Sequence, residues 1–298
     1  MSIVKIIVAY HKPWSDCKDD IYWPLQVGAY KAPVELGIDR DDKGDNISEK
    51  NPYYSEITAL YYIWKNIQSD YKGLSHYRRF FCFKRQSLAS KYLSKFLSSC
   101  ARIAISCGKK ARYTNQHYVF LPYDSFVHQI RSEERILISV LGHFSIVAPL
   151  PTEVSTTVRE HFGRIIGEKP IQVLDKLMAH NPFSEEYNKT MSGFKYYSGN
   201  MSLMESGIFN SYCSFLFPLL EKHLSLLLDQ TIKKDEYLRV SGYVAEILTS
   251  VFIGSQRKNC KVYETPIYYV DDYSKLCRVG RWLVKFGFFH PFLLRNIC

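Results

Sequence analysis

Two adjacent arginines, Arg78 and Arg79, end the string DYKGLSHYRR, in which a short apolar run rises through His76 and Tyr77 to the pair. A guanidinium is planar, always charged, and grips phosphate or carboxylate oxygens two at a time. His76 and Tyr77 set a titratable ring and a hydroxyl beside it. Such a group can hold an anion without a metal. Upstream, the string DDKGDNISEKN offers Asp45, Asn46 and Lys50 as further polar partners for a ligand. The plainer reading of that string is a helix cap at Asn46 or Ser48, with Lys50 solvated.

Three elements must position these residues. DDKGDNISEKN reads as a turn-rich loop, with Gly44 and Asp/Asn residues that tolerate left-handed backbone. PYYSEITALYYIWKNI reads as a helix, with Pro52 in its first turn and Ile57, Leu60, Tyr61 and Trp64 on one face. Glu56 stands near the helix start, where the dipole favours a carboxylate. A short strand then carries the arginines to its carboxyl end, the side on which open α/β sheets bind ligands. Ile3 to Ala9 reads as a buried first strand, because its apolar run does not alternate.

At 298 residues, 46% hydrophobic and 23% charged, the chain is long enough to bury a core and too apolar to be disordered. Its net charge of +10 is concentrated between His76 and Arg135, where nearly every charge is positive. That stretch suits an anionic membrane face, a pyrophosphate-bearing substrate or nucleic acid. The eight cysteines are scattered without a CxxC pair, which argues against a zinc site and for a reducing cytoplasm. MSIVKIIVAYHK is too short for a secretion signal, and no apolar run approaches the roughly 20 residues of a membrane span. Dinucleotide-binding, Walker, nucleophile-elbow and HExxH patterns are all missing, which removes the usual dehydrogenase, kinase, hydrolase and zinc-protease readings.

DDKGDNISEKN, ITALYYIWKN and GLSHYRRFF resemble the glycosyltransferases of bacterial capsule and exopolysaccharide loci, a family catalogued as domain of unknown function 4422. The resemblance is dense over residues 3 to 83, thins to about 140, and returns more weakly to about 270. It implies an α/β, GT-A-like (Rossmann-like) fold with a mostly parallel central sheet flanked by helices. One domain is expected over residues 1–272, with a helical insertion at about 84–130 and a basic amphipathic tail at 273–298.

The resemblance also implies site residues. Tyr10, His11 and Lys12, in the loop after the first strand, would hold the base of a nucleotide; Asp45 and Asn46 would meet its ribose or uracil edge, and Lys50 a phosphate. Asn200 and Met201 match a family Asn-Met segment that faces the sugar. Arg239, Gly242, Tyr243 and Glu246 match a later block, and Glu246 is the expected catalytic base; its plainer reading is a salt-bridged surface glutamate. The implied donor is a nucleotide-sugar, UDP-linked and carrying a hexosyl unit of galactosyl type; the residues themselves select no sugar. The strand end that holds Asp-x-Asp in many such enzymes reads His76-Tyr77-Arg78-Arg79 here, so a divalent metal is not favoured; Asp124, Asp271 and Asp272 are the remaining candidate ligands. The expected acceptor is a lipid-linked capsule, O-antigen or exopolysaccharide chain. The tail KLCRVGRWLVKFGFFHPFLLRNIC would lie on an anionic membrane, placing the protein peripherally on the inner face of the cell membrane. The rivals are a basic nucleic-acid-binding protein, which lacks a reader motif, and a non-catalytic carbohydrate-binding subunit.

Overall fold

The computed structural model describes residues 3–14, 17–84, 114–115, 118–122, 125–229 and 234–271. Thirteen strands are described: β1 (Val4–Tyr10), β2 (Tyr22–Gln26), β3 (Asp39–Arg40), β4 (Tyr71–His76), β5 (Arg79–Phe81), β6 (Thr114–Asn115), β7 (Tyr118–Pro122), β8 (Ile146–Pro149), β9 (Thr152–Val154), β10 (Lys195–Tyr196), β11 (Ser202–Glu205), β12 (Val262–Thr265) and β13 (Ile267–Asp271). The helices are α1 (Asn51–Tyr54), α2 (Ile57–Asn66), α3 (Phe126–Ser132), α4 (Glu134–Leu141), α5 (Val158–Ile166), α6 (Glu168–Met178), α7 (Ser184–Ser192), α8 (Ser206–Leu228) and α9 (Val240–Gln256).

The central sheet runs β12-β8-β11-β4-β1-β2-β3, with β5, β13 and β7 continuing from β4. β1 lies parallel to β2 and β4, and β8 parallel to β12. β11 runs against both β4 and β8, so the parallel order is interrupted beside β4. β1 explains why its sequence does not alternate: Ile7 and Ala9 feed the core on one face, Ile6 and Val8 the core on the other. The first core is covered by α1, α2 and α5–α9, the second by α3 and α4. The mostly parallel α/β sheet is as the sequence implies.

Several boundaries differ from expectation, each for a local reason. The helix expected over residues 52–67 is broken at Ser55, whose φ is 52°; the Ser55 carbonyl accepts from Asn51 Nδ2 at 2.8 Å and Thr58 Oγ1 at 3.2 Å instead of continuing the helix. The sequence reads as a second strand around Leu25 to Tyr30; that strand ends at Gln26, because Gly28 turns left-handed (φ 65°) and Asp41 takes the Gly28 and Ala29 N–H groups, each at 3.0 Å. RSEERILISVLG reads in the sequence as a helix opened by Ser132; the helix there, α4, begins at Glu134, and Ser132 instead closes α3. Glu133 turns inward, 2% exposed, to accept the Phe83 and Lys84 N–H groups at 2.6 and 3.0 Å and the Tyr268 hydroxyl at 2.5 Å. The expected helical insertion is corrected at its far end: residues 118–122 form β7, which joins the sheet through β13. Residues 85–113, the tail 273–298, Asp124 and Asp272 lie outside the described residues.

Candidate active site

β1 and β4 end side by side at Tyr10 and His76, and the antiparallel β11 begins next to that end, with Ser202 opposite Leu74. The turn before β11, Ser198-Gly199-Asn200, therefore faces the carboxyl ends of the parallel strands. β5 folds back from β4 with Arg79 opposite His76, a hairpin closed by the Ser75 hydroxyl donating to the Arg79 carbonyl. Around these ends opens a cavity of about 620 Å³. The hairpin contributes His76, Tyr77, Arg78 and Arg79; α2 contributes Glu56 at its start; α9 contributes Arg239, Tyr243 and Glu246.

The turn is the hub. Gly199 has φ 78°, and a Cβ there would lie 3.2 Å from Arg79 Nη1 and 3.7 Å from His76 Nε2, so glycine admits both side chains. The Gly199 carbonyl accepts from His76 Nε2 at 2.6 Å, which places the ring proton on that nitrogen. Burial lowers the His76 pKa, with Glu56 opposing and Arg79 assisting, so the ring is neutral. Asn200, 1% exposed, takes the left-handed conformation (φ 55°) that asparagine tolerates. Its Nδ2 donates to Glu56 Oε1 at 2.8 Å and to the Gly242 carbonyl at 3.1 Å, tying the turn to the starts of α2 and α9.

Glu246 stands on the cavity wall with its pKa pushed up to about 8. Burial is the main cause and the Glu56 charge the next; the Gly199 N–H, Arg79 and Arg239 pull the other way. The three arginines are held differently. Arg78 Nε donates to the Val270 carbonyl at 3.0 Å, with the guanidinium 4.8 Å from the Tyr269 ring and 5.6 Å from Trp14. Arg79 lies 6.0 Å from the Tyr118 ring and has no ion-pair partner among the described residues. Arg239 precedes α9 with φ 62°, its N–H on the Pro52 carbonyl at 2.8 Å and its guanidinium over Tyr243 at 5.6 Å.

Of the residues singled out in the sequence, His11, His76, Tyr77, Arg78, Arg79, Arg239 and Glu246 line this cavity, and Asn200 braces it. His11 packs edge-on to Tyr77 at 5.1 Å; burial, Lys12 and Arg239 lower its pKa. The others are placed elsewhere. Tyr10 points into the core, 2% exposed, with its hydroxyl 3.4 Å from Cys17 Sγ. Lys12 lies over the outer Tyr77 ring at 5.5 Å. Asp45 accepts from the Tyr61 hydroxyl at 3.0 Å, and Asn46 braces its own loop through the Gly44 carbonyl and the Ser48 N–H. Lys50 pairs with Glu221 at 2.6 Å on a different surface. Asn46 thus braces its own loop, while Asp45 and Lys50 tie that loop to α2 and α8. Glu56, explained in the sequence by the helix dipole, is a cavity residue; its tie to Asn200 spans too much chain to be read from local pattern. Gly199 had a signal, the turn-forming Ser-Gly-Asn between two apolar runs. Among the described residues no three His, Cys, Asp or Glu side chains are grouped to hold a metal ion.

The family model described as domain of unknown function (DUF4422) matches residues 5–258. The chain belongs to the DUF4422 family. That span contains the DUF4422 chain's turn, hairpin arginines and α9 wall, leaving out only the β13 side of the cavity. No curated protein matches it. Among solved structures it is similar to the apo form of the bifunctional glycosyltransferase WbbM, with a TM-score of 0.72 and 25% identity, over 90% of this chain and 45% of that one. The DUF4422 chain therefore spans under half the length of WbbM.

Proposed function

We propose that this protein is a glycosyltransferase that moves a hexosyl unit, galactosyl in the first instance, from a UDP-sugar to a lipid-linked saccharide of a surface polysaccharide. The observation that carries the reading is the convergence of Arg79, Arg239 and Glu246 on one cavity outside the carboxyl ends of β1 and β4. The likeness to a bifunctional glycosyltransferase supports it.

In the reaction the bond between the sugar's anomeric carbon and the diphosphate oxygen breaks, and one forms to an acceptor hydroxyl oxygen. The leaving diphosphate keeps the electron pair, and Arg79 and Arg239 offset its charge in place of a metal. The hydroxyl proton passes to Glu246, whose pKa of about 8 makes its carboxylate a stronger base than an ordinary one while leaving it ionisable near neutral pH. Neutral His76 and the Asn200 brace hold the hairpin and the Glu56 carboxylate in place around it. Residues 273–298, basic and amphipathic, would bring the site to the anionic inner leaflet where lipid-linked acceptors lie. Among the described residues no helix is long and apolar enough to cross a membrane.

The test is nucleotide release from a panel of UDP-hexoses with saccharide acceptors, with and without a chelator. Turnover that Glu246→Gln lowers by a hundredfold or more, and that survives chelation, fits the reading. Failure to bind or turn over any UDP-sugar overturns it, and loss of turnover on chelation overturns its metal-free form.

A further inference from the structure

A second cavity, of about 740 Å³, shares Asn51 and Pro52 with the first. One side is a braced platform. Asp41, 1% exposed, accepts the Gly28 and Ala29 N–H groups and the Ser48 hydroxyl, the last at 2.5 Å; Ser48 Oγ in turn accepts the Tyr30 N–H at 3.1 Å. The Tyr30 ring standing on this platform is 54% exposed. Lys31 Nζ lies over it at 5.4 Å, a contact that a stacked sugar ring would replace. Tyr53 adds a second aromatic, and the opposite side is α8, with Glu221 and Ser225 facing in.

Charge separates the two cavities. In the first, Arg78, Arg79 and Arg239 outnumber Glu56 and Glu246. In the second, Lys31 and Lys50 are set against Glu49, Glu221 and Asp229, and Lys50 is already paired with Glu221 at 2.6 Å. A phosphate gains nothing there. A neutral polyol does, because its C–H faces can lie on tyrosine rings while carboxylates and hydroxyls take its O–H groups.

We propose that the second cavity binds the saccharide part of the acceptor, with the growing end passing over Asn51 and Pro52 into the first. This rests on the glycosyltransferase reading of the first cavity. Pro52 suits the crossing point, since its carbonyl is fixed by the Arg239 N–H at 2.8 Å and that wall is shared by both sites.

The probes are galactotriose and maltotriose, observed by saturation-transfer NMR on the full chain with and without saturating UDP. The expected result is transfer to sugar protons that persists when UDP is present. It should weaken at least tenfold in Tyr30→Ala and in Ser225→Trp, the latter filling the cavity from an exposed helix position without touching the core. Thermal melting of both variants checks folding. The proposal is overturned if neither trisaccharide binds, if UDP displaces the one that does, or if both folded variants bind as the wild type does. UDP affinity, measured by calorimetry on the same proteins, keeps the two readings apart. If UDP does not bind but the trisaccharide does, the reading of the first cavity fails and the saccharide site stands.

Discussion

Ionising Glu246 sets a second negative charge beside Glu56 in a half-buried wall, and folding feels that cost. Between its ordinary pKa and its folded value of about 8, the folded chain keeps a proton at Glu246 that the unfolded chain has released. Stability from this group is therefore full at low pH, falls as pH rises from about 5, and levels off above about 8. The whole effect is on the order of a few kcal/mol, reduced by the partial solvent access of the side chain. Glu246→Gln should therefore melt higher than the wild type at pH 8.5 and converge with it near pH 4.5, in paired thermal scans. Activity should move oppositely, rising with pH in the wild type and lowered by about a hundredfold or more in the variant. The two hairpin arginines should also separate. Arg79→Ala should weaken UDP binding by about ten- to a hundredfold, as loss of one charge-assisted contact implies, with little change in melting. Arg78→Ala should chiefly melt lower, because it vacates the Val270 carbonyl and the faces of Tyr269 and Trp14. Calorimetry with UDP and melting curves on both variants decide it; equal loss of affinity at Arg78 would contradict the division.

At the scale of elements, β4 is the piece on which the site depends. Gly73 lies where a Cβ would stand 2.6 Å from the Ser202 carbonyl and 3.0 Å from Leu203 Cα, both backbone atoms of β11. Gly73→Ala must push the strands apart, at a cost of about 1–3 kcal/mol. Because Asn200 lies two residues before β11, UDP affinity should fall with stability. A contrasting change is Thr157→Ala. Thr157 and Glu160 form a reciprocal capping box at the start of α5, bonded at 3.2 Å each way. Losing it should cost about 1 kcal/mol and leave UDP affinity untouched. The sequence made the first strand, the strand with its arginines and the α2 face legible, because each is a local pattern. It did not reveal the break at Ser55, which lies beside Gly242 of α9, where an added Cβ would stand 3.4 Å from the Ser55 side chain. Nor could it place Lys50, whose partner Glu221 is on a distant helix. Glu246 was found through family likeness, and its raised pKa comes first from burial and then from the nearby Glu56 charge, neither of which spacing along the chain discloses.

For the whole molecule, the net charge of +10 and the basic tail bear on where the protein works. Liposomes containing anionic lipid should sediment the full chain, each basic residue near the surface contributing about 1 kcal/mol. Binding should weaken with salt and be lost when residues 273–298 are removed; equal sedimentation of the truncated protein would refute the role of the tail.

The interruption of the sheet beside β4 also governs how the chain can be assembled. β1, β2 and β4 are made well before β11, so the far edge of β4 waits for it, with Leu74 pairing to Ser202. Until then a strand that is central in the finished sheet has an open edge, which invites pairing between chains. Sequence-distant pairing of this kind also slows folding. A fragment ending near residue 84 carries the densest family likeness but leaves that edge bare, so it should aggregate when expressed alone and recover solubility when the later strands are supplied.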